Sequence, residues 1–235
     1  MMALPRIDTP TYQTTLLSTG ETIQFRPFLV KEQKVIMMAQ ESNEEVQITN
    51  ALVSLVSACT FGKVDVENIP TFDVENLFLR IRGKSVGESV DINITCPDDD
   101  VTKVPIKVNL DDIKLQTSPD HNPVIDITDS IKMYLSYPTF RNTKNISNVN
   151  SSEGLFKILY TCINEIHYGD DVYNRIDISD KDIEDFIDQL TGEQFEKVTN
   201  FFLSMPKLRH TIEVVNPKTK VKSEVVLEGL QSFLG

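Results

Sequence analysis

Tryptophan is absent from the 235 residues, and cysteine occurs only at Cys59, Cys96 and Cys162. The missing tryptophan decides little. The odd cysteine count and wide spacings exclude a disulfide framework and point to a reduced, cytosolic compartment. Two of the three fall on apolar helical faces, where Cys behaves as a small hydrophobe. Bases are scarce: 23 Lys and Arg stand against 35 Asp and Glu, for a net charge of −12. Such a surface repels nucleic acid and anionic membranes at long range and favours basic partners. No run approaches the roughly 18 apolar residues of a membrane span. The first ten residues hold no apolar signal-peptide core. The glycines are scattered and build no phosphate loop.

What is present is an alternation of hairpins and helices. With 40 % hydrophobic residues the chain can bury a real core, as one large domain or two small ones. Thr11–Leu17 and Glu21–Phe28 flank Ser18-Thr19-Gly20 and predict a hairpin. Helices are expected over Val30–Gln40 and Glu44–Thr60, the second with Ile48, Leu52, Leu55, Val56 and Cys59 on one face. Asp73 is placed to cap a third, striped by Val74, Leu77, Phe78 and Ile81 and basic at its end through Arg80, Arg82 and Lys84. A second hairpin alternates Val90, Ile92 and Ile94, turns at Cys96-Pro97-Asp98-Asp99-Asp100, and returns through Val104, Ile106 and Val108. Pro105 marks it as an edge.

Gln116–Pro123 reads as a polar loop, and Ile125–Tyr137 as a strand ending at Pro138. Arg141–Ser152, rich in Asn and Ser, is the candidate boundary. Leu155, Ile158, Leu159, Cys162, Ile163 and Ile166 predict one helix, followed by a connector over Tyr168–Ile178. Ser179 with Asp182, and Thr191 with Gln194, have the spacing of capping boxes. The last helix runs into Phe201-Phe202-Leu203 and stops at Pro206. Thr211–Val215 and Val221–Leu227 form a third hairpin, and Gly229–Leu234 a helical turn. Val90–Ile113 and Thr211–Leu230 echo each other, either as a duplicated unit or as any hairpin followed by a turn. The expected class is α+β: antiparallel hairpins packed with helices, and a mostly helical C-terminal subdomain closed by a hairpin. The expected division is 1–140, a boundary at 141–152, and 153–235.

Chemistry-bearing clusters are few. Asp98-Asp99-Asp100 offers oxygen ligands for a hard cation but lacks the glycine and distal glutamate of a calcium loop, and reads as a solvated turn. His121, His167 and His210 are far apart. Lys207, Arg209 and His210 stand at a helix-to-strand corner, where bases can neutralise terminal carbonyls or meet an acidic partner. Cys162 and His167 fall on different helical faces and make no nucleophile–base pair. Phe201, Phe202 and Leu203 cannot all face one core, so the helix is either buried on two sides or offers an aromatic anchor.

Three stretches carry a resemblance. They are Phe25-Arg26-Pro27-Phe28-Leu29-Val30-Lys31-Glu32-Gln33-Lys34; the hairpin from Val90 through Cys96-Pro97 to Leu110-Asp111-Asp112-Ile113; and Met205-Pro206-Lys207-Leu208-Arg209-His210 with Leu227-Glu228-Gly229-Leu230. Together they resemble the baseplate hub and hub-assembly proteins of T-even-type contractile-tailed bacteriophages. The resemblance implies a hub subunit or assembly factor that binds other hub proteins, without enzymatic turnover, cofactor, small-molecule substrate, nucleic acid or membrane insertion. The alternative is a transient tail-assembly chaperone absent from the mature virion. It implies assembly in the host cytoplasm, with the virion tail baseplate as the destination of a structural subunit. Related sequences often carry Cys-Pro-x-Cys at both later turns, which suggests a zinc ribbon. Here only Cys96 is kept, the second turn is Asn216-Pro217-Lys218-Thr219-Lys220, and no metal is expected. The candidate partner-binding residues are Arg26, Phe28, Lys31, Lys34, Phe201, Lys207, Leu208, Arg209 and His210.

Overall fold

A computed structural model of the protein describes residues 7–42, 44–143, 151–229 and 232. The chain opens with β1 (Tyr12–Thr15) and β2 (Thr22–Phe25), then α1 (Val30–Ser42), α2 (Glu45–Cys59) and α3 (Thr71–Val86). Five strands follow: β3 (Ser89–Thr95), β4 (Lys103–Asn109), β5 (Lys114–Gln116), β6 (Val124–Asp126) and β7 (Ile131–Leu135). After α4 (Phe140–Thr143) and α5 (Ser152–Cys162) come β8 (Ile163–Tyr168), β9 (Asp171–Asn174) and a 3-10 turn at Arg175–Asp177. The chain closes with α6 (Asp180–Ile187), α7 (Gly192–Ser204), β10 (Lys207–Val215) and β11 (Lys222–Glu228). The fold is α+β, as expected. Two compact units form, one of Met1–Gln116 with Lys207–Gly235, the other of Thr117–Pro206. The candidate boundary 141–152 falls inside the second unit, and its residues 144–150 lie outside the described residues. So does most of the helical turn expected over Gly229–Leu234.

In the first unit α3 occupies the centre. Phe72, Val74, Leu77, Phe78, Leu79 and Ile81 are all buried, so apolar residues cover far more than one stripe and the helix is enclosed on most sides. Asp73 does not cap it. The N-cap is Pro70, without a side-chain hydrogen bond. Asp73, fully buried, instead accepts the amides of Leu17 and Ser18 at 2.8 and 3.2 Å, which ties the first hairpin's turn to the helix. The expected basic end is also largely committed. Arg80 donates to the carbonyls of Leu110 and Ile113 and pairs with Asp111.

β1 pairs β2 and β3 pairs β4 as separate hairpins, while β11, β10 and β5 make a three-stranded antiparallel sheet. β5 lies at the edge of the expected polar loop. Its pairing with the start of β10, Gln116 opposite Lys207, organises a segment too short to show a period. The three hairpins share one turn geometry. Leu16, Cys96 and Asn216 each accept an amide from four residues on, and that donor, Gly20, Asp100 or Lys220, has a positive φ. The first hairpin has the same turn, so turn geometry alone does not set the later two apart.

The second unit is a four-stranded antiparallel sheet, in the order β6-β7-β8-β9, with α4–α7. Ile127, Met133, Leu135, Leu159, Ile163, Ile166, Ile183, Ile187, Val198 and Phe201 form its core. Both expected capping boxes are present, at Ser179/Asp182 and Thr191/Gln194. The helix expected through Ile166 stops at Cys162, and Ile163–Tyr168 is strand. Tyr134 pairs with Glu165 and Leu135 with Ile163, which leaves Asn164 as a bulge residue. The bulge returns Ile163 and Ile166 to the same face, and their three-residue spacing imitates a helix. The expected connector holds β9, and the strand expected over Ile125–Tyr137 is a hairpin, β6 with β7.

Candidate functional site

The nine candidate partner residues fall into three environments. Arg26 is nearly enclosed. Its guanidinium donates to Pro27 O at 2.9 Å and meets Glu32 at 3.0 Å, while its amide reaches Cys59 O. Burial alone raises the pKa of Glu32, but the hydrogen bonds from Arg26 and from the Leu29 amide, with the charges of Arg26 and Lys31, outweigh it and leave the group lowered. Phe28 is half-buried, its amide held by Ser85 Oγ at 2.8 Å. Lys31 and Lys34 are exposed.

On β10 Leu208 is fully buried, while Lys207, Arg209 and His210 are partly exposed. Lys207 and Arg209 do not serve helix carbonyls. Both grip Glu228 on β11, at 2.9 and 2.7 Å, because antiparallel pairing sets Arg209 opposite Glu228. The hydrogen bond from Lys207 is the largest influence holding the Glu228 carboxyl low. Phe201 belongs to the second unit's core, and of its neighbours Phe202 is half-buried and Leu203 is 66 % exposed.

Sequence patterning missed the outer face of α1. Ala39 and Glu32 are buried, and Ile36 is partly so. Val30, Met37 and Met38 are 66, 52 and 69 % exposed, and at 100° per residue they share one face with Lys34. The signal was the doublet Met37-Met38, apolar residues in excess of what a single buried stripe uses.

The turns of β3–β4 and β10–β11 meet. Asn216, 1 % exposed, donates through Nδ2 to both Asp98 oxygens at 3.1 Å, and Thr219 Oγ1 adds a third bond. These bonds, Thr219's first, lower the pKa of Asp98. Asp99 is lowered further by the Thr102 hydroxyl and by the Thr102 and Val101 amides. The triplet is therefore a clasp between turns as well as a solvated loop. These residues do not fit a structural zinc: one thiol is present, Cys96, and Asn216, Thr219 and Asp99 are committed elsewhere. Among the described residues no three His, Cys, Asp or Glu groups are placed to share a metal.

In the second unit His121 lies 2.9 Å through Nδ1 from Ser204 Oγ and 3.0 Å through Nε2 from the Tyr137 hydroxyl. Ser204 commits its hydrogen to Asn200 O at 2.6 Å. With that hydrogen spent, His121 donates through Nδ1–H and accepts from Tyr137 through Nε2. A base for Ser204 would need the opposite polarity, so the pair staples the loop to the end of α7 and is no catalytic dyad.

These units offer surfaces and internal clasps, the equipment of a protein that joins others. A family model described as T4 bacteriophage base plate protein matches residues 9–235, and the chain belongs to that family. No curated protein and no solved structure matches the chain. Membership gives a structural or assembly role in a phage base plate and contacts with other phage tail proteins. Among the described residues no helix is long and apolar enough to cross a membrane.

Proposed function

We propose that the protein is a subunit or assembly factor of the baseplate hub, acting without turnover by binding other hub proteins. The observation that supports this most directly is the outer face of α1. Val30, Met37 and Met38 stand in water beside Lys31 and Lys34; Val30 and the two lysines belong to the stretch that carries the hub resemblance, and the methionines follow it on the same helix. A folded chain gains nothing from exposing such a face, and a partner would bury it. Lys207, Arg209 and His210 belong to the same proposal as a partly exposed basic strip on β10.

Two measurements test the reading. The double variant Val30→Asp, Met38→Asp should keep its thermal midpoint and lose binding to its hub partner by about a hundredfold, as expected for central apolar contacts. Unchanged binding would remove α1 from the interface. Quantitative mass spectrometry of purified particles against infected-cell lysate then separates the roles. A few copies per particle make it a subunit, whereas abundance in lysate and absence from particles make it a transient assembly factor or chaperone.

A further inference from the structure

The second unit carries a surface that the α1 reading does not use. β9 ends the sheet order, so among the described residues one side of it bears no strand, and all four of its residues are exposed. Edge strands are commonly blunted by lysine, proline or a bulge. Asp171-Val172-Tyr173-Asn174 has neither lysine nor proline, and its register with β8 is regular.

Beside this edge lies an apolar cleft of about 330 Å³, lined by Ile166, Tyr168, Tyr173, Ile178, Ile183 and Phe186. Tyr173 pairs with Ile166 across β8–β9, so the cleft and the open edge share one face of the sheet. Tyr168 and Tyr173 are 54 and 48 % exposed, and Ile176, between Tyr173 and Ile178 in the chain, is 91 % exposed.

The surroundings are acidic. From Tyr168 to Asp188 there are eight carboxylates and only two bases, Arg175 and Lys181, which amounts to half the net charge of the chain. Arg175 is itself paired with Asp180. Asp182 lines the cleft directly.

We propose that β9 and its cleft dock an extended segment of another base plate protein, one with apolar residues at every second position and Lys or Arg flanking them. The segment adds a strand to the open side of β9. Every second side chain then stands on the cleft face next to Tyr173, where an apolar group fills the cleft. Bases flanking those apolar positions meet the acidic rim, which steers association and fixes register. This rests on the reading that the protein works by binding base plate partners, and it names the chemistry of one of them.

The test places the photo-crosslinking residue p-benzoylphenylalanine at Tyr173, and separately at Val30 on α1, in cells infected with phage. The crosslinked peptides are then sequenced by mass spectrometry. The expected result is that the Tyr173 variant joins a base plate protein at a segment with apolar residues at every second position and Lys or Arg flanking them. Asp170→Asn, Asp171→Asn and Asp177→Asn together should then lower the crosslink yield about tenfold, in keeping with lost charge complementarity. A crosslink to a second copy of this chain, to a segment without bases, or to nothing at position 173 while position 30 crosslinks, overturns the docking site and leaves the broader function standing. Silence at both positions overturns the broader function as well.

Discussion

Individual side chains divide into those sealed away and those held in costly conformations. All three thiols are buried. Burial pushes Cys162 up to about 12 and Cys59 up to about 11, and also raises Cys96. A thiol reagent at neutral pH should therefore label none of them in the native protein and all three in guanidinium, since the thiolate is the reactive form. Rapid native labelling would contradict that burial. Lys220 shows the other condition. Its φ of 66° is in the left-handed region, where a side chain crowds the backbone. Lys220→Gly should raise stability by about 0.5–1 kcal/mol, measured as a higher denaturant midpoint at unchanged slope. The apolar stripes of their helices announce the burial of Cys59 and Cys162, but the left-handed residue is not legible beforehand: a turn sequence shows that a turn exists, but which of its residues turns left-handed depends on how the strands pair.

Among the elements, the starts of α6 and α7 were the most legible. Ser179/Asp182 and Thr191/Gln194 fell where their spacing put them, because a capping box is satisfied within four residues. The sheet of the second unit was least legible. Its bulge at Asn164 gives Ile163 and Ile166 a helical interval, and only the partner strand shows otherwise. The candidate surface was legible in part. Lys31 and Lys34 are on the outer face of α1, but Arg26, Phe201 and Leu208 are engaged inside their own units. Two clasps between elements give predictions. Asn216→Ala should cost about 1–3 kcal/mol, as it strips Asp98 of a donor and leaves the Lys218 and Thr219 amides unpaired. His121 holds the end of α7, and burial lowers its pKa below the usual 6.5. The fold thus favours the neutral ring, so the stabilisation is present above about pH 6.5 and lost as pH falls. His121→Phe should flatten the difference in urea midpoint between pH 7.5 and 5.5 relative to the unsubstituted protein. An equal difference in both would remove His121 as its source.

For the molecule as a whole, the decisive feature is that the second unit is an insertion. The chain leaves the first unit after Gln116 and re-enters it at Lys207, and these two residues are Cα partners in antiparallel strands. Paired strands can be joined by a tight turn. A chain in which residues 117–206 are replaced by a short Gly-Ser link should therefore fold as the first unit alone, with a cooperative thermal transition. An unfolded or aggregated product would show that the first unit depends on the second. Composition could not show this arrangement, because both units use the same mixture of hairpins and helices. The insertion also governs the order in which the protein is made. On a ribosome adding about 5–20 residues per second, the inserted residues take roughly 5–20 s to appear. Over that time the central helix α3 and then β5 emerge from the exit tunnel, while β10 and β11, which complete the sheet of β5, do not yet exist. The inserted unit, continuous in sequence, can close first. The residues synthesised earliest are then among the last to be enclosed.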